Sequence, residues 1–224
     1  MTNQNKWAII ANANQTDQAW MLSYLKDLNI IACDGAYDYV KTWGVTIDTI
    51  LGDFDSTQHP THSPRFVHTP DQNKTDLHKA IEYADKQGAT EIIIFNALGN
   101  AMSHTLHNLR LLKRLYNPNR SLLMLHAIEE TNDQYPSSGI ESIQYIYNKT
   151  ILLQGQINRS LSVFGLPNCI ASSQGLTWNL NHTHLLFSDN DSSRNRLKQP
   201  NAALTIQGDG LIMMDTKITI QLSY

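Results

Sequence analysis

Asp76-Leu77-His78-Lys79-Ala80-Ile81-Glu82-Tyr83-Ala84-Asp85-Lys86-Gln87-Gly88, followed after two residues by Glu91-Ile92-Ile93-Ile94-Phe95-Asn96-Ala97, decides how the first half of this chain folds. Leu77, Ala80, Ile81 and Ala84 recur at helical spacing and form one apolar stripe, and Gly88 ends the run. Glu91 to Ala97 is short, apolar and rich in β-branched isoleucine, the pattern of a buried strand. A helix feeding a buried strand is the repeating unit of a parallel sheet. The same alternation continues on both sides. Upstream, Trp7 to Ala11, Ile30 to Cys33 and Thr49 to Leu51 read as strands, with helices over Gln18 to Leu28 and Ala36 to Trp43 between them. Downstream, His104 to Tyr116 places Leu106, Leu109, Leu112 and Leu115 on one helical face, and Ser121 to His126 is a further strand. Residues 1–134 are therefore expected to form an α/β domain with a mainly parallel sheet flanked by helices.

The second half changes period. After a polar stretch from Thr131 to Gly139, short strand candidates follow at Ile143–Tyr147, Thr150–Leu153, Ser160–Phe164, His184–Phe187, Ala202–Gln207 and Leu211–Met214. Asn148-Lys149 and Gly208-Asp209-Gly210 carry the residues of hairpin turns. No long helical stripe appears, so residues 135–224 are expected to form an antiparallel β-sandwich.

The chain has 224 residues, of which 41% are apolar and 17% charged, with a net charge of −3 and no lysine- or arginine-rich block. That balance offers nothing to a nucleic acid or an anionic membrane. The polar start and the lack of a long apolar run argue against a secretion signal or a membrane span. Cys33 and Cys169, far apart and among apolar neighbours, read as reduced thiols of a cytoplasmic protein.

Acidic residues fall where the alternating half turns from strand to helix. Asp34 follows the second strand, Asp53 and Asp55 follow the third, and Asp71 and Asp76 bracket the approach to the central helix. In open α/β sheets, ligands bind beyond the carboxyl ends of the strands, so these segments are expected to converge. Converging carboxylates repel unless a cation or proton compensates, and hard oxygen ligands beside a phosphate suit Mg²⁺. If extended, Asp53 and Asp55 would face one side with Phe54 turned to the core. Taken singly, Asp76 is also a helix N-cap, Asp34 a turn residue, and Lys74 a solvated lysine or a phosphate partner. The nine histidines lack metal-site spacing: His59 and His62 flank a proline, and His182 and His184 alternate on a β-segment. Neither the Gly-x-x-x-x-Gly-Lys-Ser/Thr loop nor Gly-x-Gly-x-x-Gly is present, and Ser160 and Ser162 lack a matching triad.

Ala32-Cys33-Asp34-Gly35-Ala36, Gly52-Asp53-Phe54-Asp55-Ser56 and Asp71-Gln72-Asn73-Lys74-Thr75-Asp76 resemble, in order and spacing, the motifs of thiamine pyrophosphokinases. His104-Thr105-Leu106-His107-Asn108-Leu109 is similar to the helix after that family's Gly-Gly-Arg-x-Asp-His motif, and Gly175-Leu176-Thr177-Trp178-Asn179-Leu180 to a signature of its β-domain. Departures fall at Ala101, where the family has arginine, at Ser103, where it has aspartate, and at Arg194, which precedes Asn195 where the family has serine.

The resemblance implies transfer of pyrophosphate from ATP to the hydroxyl of thiamine, giving thiamine pyrophosphate and AMP, by a Mg²⁺-dependent homodimer. It implies Asp53, Asp55, Asp71 and Asp76 as catalytic acids, with Asp53, Asp55 and Asp71 on the metal. It places Asp34, Gly35, Ser56, Lys74, Thr75 and His104 at the nucleotide, and Trp178 and Asn195 at thiamine. An indole stacked on a flat ring beside a cationic thiazolium is sensible chemistry, although Trp178 also suits a sandwich core. The alternatives are a pyrophosphokinase acting on another small alcohol, such as a pterin, and a binding protein that has lost turnover with Ala101 and Ser103.

Overall fold

A computed structural model describes residues 5–13, 18–53, 65–128 and 135–222. The chain divides into two compact units, Met1–Leu125 and His126–Tyr224; residue 134, where the sequence placed the boundary, lies outside the described residues.

In the first unit the apolar runs become β1 (Lys6–Ile10), β2 (Asn29–Cys33), β3 (Thr49–Gly52), β4 (Arg65–His68), β5 (Glu91–Phe95) and β6 (Ser121–Ala127). They pair in parallel in the order β6-β5-β1-β2-β3-β4. β5 and β1 lie inside the sheet, and Ile9, Ile10, Ile92, Ile94 and Phe95 are fully buried, as expected of strands covered on both faces. Between them run α1 (Gln18–Leu25), α2 (Asp34–Val40), α3 (Asp76–Lys86) and α4 (Met102–Arg114). The stripe of α3 buries Leu77, Ala80, Ile81 and Ala84 as its spacing required. Arg120 holds the far end of that helix through an ion pair with Asp85 at 2.6 Å.

The second unit is antiparallel. It comprises β7 (Ile140–Gln154), β8 (Ser160–Gln174), β9 (Thr183–Leu186), β10 (Ser192–Arg196), β11 (Asn201–Asp215) and β12 (Thr219–Leu222). β11 lies between β7 and β8, β10 and β9 pair with β8, and β12 pairs with β7. The sandwich core gathers Ile151, Leu153, Leu161, Val163, Leu176, Leu197, Leu204, Ile206 and Ile212.

Two expected hairpins are absent. Asn148-Lys149 and Gly208-Asp209-Gly210 do not reverse the chain; each sits inside a continuous strand of 15 residues. Asn148 (φ 44°) and Gly208 (φ 91°) take the left-handed conformation that their residue types favour, but as bulges. The pairing of β11 with β7 shifts register between Ile206 and Asp209, and the Gly208 N–H donates to Asn148 Oδ1 at 2.7 Å. The turn-like residues of the two strands thus meet and form one shared bend.

Candidate active site

The carboxyl ends of β1, β2, β3 and β5 open onto a cleft of about 540 Å³ in the first unit. Asn12 and Ala13 come from the end of β1, Cys33 from β2, Asp53 from β3, and Asn96 and Ala97 from β5. The loop into α3 contributes Gln72, Asn73, Lys74, Thr75 and Asp76, and α4 contributes His104, His107 and Asn108. Each strand delivers its last residues to the same rim because parallel strands all end on one side of the sheet.

Two glycines let these ends approach. A Cβ on Gly52 would run into the Asp34 side chain, and one on Gly35 into the Asn12 amide. Asp34 is buried at the first position of α2 and does not line the cleft; it supports the wall from behind. Burial, helped by the charges of Asp76 and Asp34, pushes the Cys33 thiol far up, so it remains protonated and unreactive.

Asp53 and Asp76 are the two carboxylates brought together in the lining. Asp53 Oδ2 accepts from Gln72 Nε2 at 2.8 Å, which ties the end of β3 to the acidic loop. Asp76 does not cap its helix: Thr75 is the N-cap, its hydroxyl accepting the His78 N–H at 3.3 Å. Asp76 is instead paired with Lys79 at 3.3 Å. Asp71 is exposed outside the lining, where its Oδ1 accepts from the Asn73 N–H at 2.9 Å and from Asn73 Nδ2 at 3.0 Å. These bonds hold its carboxyl below the usual range. Asp55 and Ser56 lie outside the described residues, as do Phe54, His59 and His62.

Lys74 lines the cleft, but its Nζ is engaged by both carboxylate oxygens of Glu82 at 2.7 and 2.8 Å. Burial lowers the proton affinity of His78 and His107, against which Glu82, with Oε1 3.2 Å from His78 Nε2, pulls the other way at His78. His104 lines the cleft from α4, and Asn108 Nδ2 binds the Ala97 carbonyl at 2.7 Å, fixing that helix to the end of β5. Ala101 occupies the N-cap position of α4 without a side-chain bond, and Ser103 is exposed.

Among the described residues no three histidine, cysteine or acidic side chains form a closed metal cage. Mg²⁺ does not require one, since it commonly uses one or two carboxylates with waters and substrate phosphates. Two carboxylates in an open polar cleft fit that pattern.

In the second unit Trp178 is 57% exposed, not a core aromatic. Asn195, which is 1% exposed, holds it by the backbone: Oδ1 accepts the Trp178 N–H at 3.2 Å and Nδ2 donates to the Trp178 carbonyl at 2.7 Å. Nδ2 also reaches Ser192 Oγ at 3.0 Å. The structure therefore gives Asn195 a positioning role, with its amide committed within the fold.

Asn12, Asn96 and Lys79 do not belong to the acidic motifs. The sequence signal for the asparagines is a repeated one, an asparagine just past the apolar run in Ala11-Asn12-Ala13 and Phe95-Asn96-Ala97. Lys79 carries no such signal; only the structure shows α3 burying it beside its apolar stripe.

Residues 22–124 match the family model of the thiamin pyrophosphokinase catalytic domain. The chain is 25% identical over 182 residues to thiamine pyrophosphokinase 3 of Oryza sativa subsp. japonica, covering 72% of this chain and 62% of the relative. It is 27% identical over 128 residues to thiamin pyrophosphokinase 1 of Caenorhabditis elegans, covering 52% of this chain and 51% of that one. It thus spans less than two thirds of the length of either relative. The thiamine pyrophosphokinase structure from Bacillus subtilis superposes with a TM-score of 0.76 at 18% identity, covering 94% of this chain and 99% of that one. The yeast thiamin pyrophosphokinase gives 0.73 at 15% identity, covering 97% and 87%. At such identities the superpositions establish the fold alone. Residues 22–124 are thus similar in sequence to the thiamin pyrophosphokinase catalytic domain, and the chain takes the fold of the thiamin pyrophosphokinases.

Proposed function

We propose that this protein is a thiamine pyrophosphokinase, moving the terminal pyrophosphoryl group of ATP to the hydroxyl of thiamine and releasing AMP. One observation carries the reading: Asp53 and Asp76 share a polar cleft with Asn12, Asn96 and His104, and all of these but Asn12 fall within the segment that matches the catalytic domain. In this proposal Asp53, with Asp55 and Asp71 assigned from the sequence pattern, holds Mg²⁺. When bound, that ion would offset the negative charge of the phosphates during transfer. In this proposal Asp76 takes the proton of the attacking hydroxyl, supported by its position in the cleft lining, from which the buried Asp34 is absent. Gly35 and Thr75 shape the wall around the nucleotide, and His104 offers it an imidazole. Assembly as a cytoplasmic homodimer completes the proposal, supported by the family resemblance. Among the described residues no helix is long and apolar enough to cross a membrane.

Trp178 is proposed as the stacking surface for thiamine, supported by its exposed indole and its anchored backbone. Trp178→Ala is expected to raise the thiamine KM about tenfold, since an aromatic pair contributes roughly 0.5–1.5 kcal/mol, and to leave the ATP KM unchanged. Asn195→Ala should raise the same KM and also lower the melting temperature, because it strands buried backbone groups. Steady-state kinetics beside thermal melts separate the two; equal loss of stability in Trp178→Ala would contradict an exposed role.

Incubation with ATP, MgCl₂ and thiamine should yield AMP and thiamine pyrophosphate in equal amounts. AMP formed only with a pterin alcohol would reassign the acceptor. A specific observation supports a second reading: the N-cap and first turn of α4 carry Ala101 and Ser103 where the family carries a charged pair. Nucleotide binding with no AMP formed would favour that reading, a binding protein without turnover.

A further inference from the structure

Among the described residues lining the cleft, Lys74 and Lys79 are the only lysines or arginines. They differ in how their charge is spent. Lys74 is clamped between both oxygens of Glu82. The Lys79 side chain is only 7% exposed, and its Nζ donates to the Thr69 carbonyl at 2.7 Å and to Asp76 Oδ1 at 3.3 Å. Thr69 is itself fixed to the end of β3, its N–H donating to the Gly52 carbonyl at 2.9 Å.

An ammonium has three donors, and these partners take two. The carboxylate contact is longer than the roughly 2.7–2.9 Å of a strong charge-assisted bond. A buried cation that is only loosely compensated favours the arrival of an anion. The field of Lys79 also reaches Asp71 and the Cys33 thiol at the end of β2, which puts the ammonium among the strand ends. Among the described residues α4 adds no lysine or arginine to the lining, and Ala101 stands in the arginine position.

We propose that Lys79, not Lys74, is the cation that receives the phosphates of the pyrophosphoryl donor, an assignment that rests on reading this cleft as the nucleotide site. Lys79 makes a direct contact with the transferred group, and Thr69 and Asp76 hold it in place. Lys74 serves the loop, pinning Asp71–Thr75 to α3 through Glu82.

Isothermal titration of the full chain with inorganic pyrophosphate, in EDTA so that no divalent ion contributes, tests this directly. Wild type should bind, and Lys79→Met and Lys79→Gln should each bind about tenfold or more weakly. Lys74→Met should stay within about threefold of wild type, as a lysine already neutralised by Glu82 would. Lys79→Gln retains a donor for the Thr69 carbonyl while removing the charge, so it decides the matter if the methionine variant does not fold. Wild-type affinity in both Lys79 variants overturns the proposal, as does equal weakening in Lys74→Met or no binding by wild type. Unfolding of both Lys79 variants would make the lysine a structural tie and also overturn it. The pyrophosphokinase reading fails separately: absence of thiamine pyrophosphate with this binding pattern intact would leave Lys79 as the anion contact of another reaction.

Discussion

Asp53→Asn is expected to lower kcat on the order of a hundredfold while the protein keeps its melting transition. The asparagine oxygen can still accept from Gln72 Nε2, now 2.8 Å from Asp53 Oδ2, so the tie between β3 and the acidic loop survives. What is lost is one negative charge on the cleft wall. A metal ion offsetting charge in the transition state contributes several kcal/mol, and about 2.7 kcal/mol corresponds to a hundredfold in rate. The deficit should shrink as MgCl₂ is raised if weakened metal binding is the cause. Measuring kcat and the half-saturating Mg²⁺ concentration together checks this, and near-normal kinetics at low Mg²⁺ would remove Asp53 from the metal site.

Gly52→Ala is expected to act on stability and site geometry at once. The added Cβ would collide with the Asp34 side chain and approach its Cα at 3.4 Å, atoms held at the buried start of α2. Overpacking of a rigid wall costs about 1–3 kcal/mol, and relief requires β3 and α2 to separate, displacing the neighbouring Asp53. Gly35→Ala provides the comparison. Its Cβ meets the terminal amide of Asn12, a side chain able to swing away, so its stability cost should be smaller. Its effect should fall on ATP binding, because Asn12 lines the cleft. Denaturant unfolding and ATP KM for the two variants, side by side, check the contrast; equal loss of stability would show the Asn12 wall to be as rigid as Asp34.

The alternating half was legible because its core elements carry undiluted periods: Ile92 to Phe95 is a continuous apolar run, and Leu77, Ala80, Ile81 and Ala84 hold a helical stripe. β4, at the sheet edge and wholly without buried residues, offers only Phe66 and Val67 and was not legible. β10 reads Ser-Ser-Arg-Asn-Arg, whose pairing with β8 is set by the rest of the sheet. The expected hairpins failed for a different reason. Residues that favour positive φ signal a local left-handed conformation, and a bulge satisfies it as well as a reversal does. At the cleft, Asp53 and Asp76 were legible as lining residues because they sit in recognisable motifs, whereas Asp34 and Asp71, read in the same way, fall outside the lining. Lys79 was not legible, since burial and a carbonyl 10 residues away at Thr69 give a lysine its place, and neither is written in local sequence.

The bend shared by Asn148 and Gly208 has a consequence for how this chain tolerates changes in length. Side chains alternate faces along a strand, so a change of one residue inverts everything beyond it. Beyond Asn148, Ile151 and Leu153 point into the core, while Leu152 and Gln154 are exposed. Deleting a single residue at this turn-like dipeptide, as one would shorten a surface hairpin, would drive Gln154 inward and expel both core residues. It would also break step with β11, which follows β7 through the bend, and with β12, paired to Ile151–Gln154 from the other side. The segment that looks most like a dispensable loop is thus one of the least permissive sites for an insertion, a deletion or a fused tag.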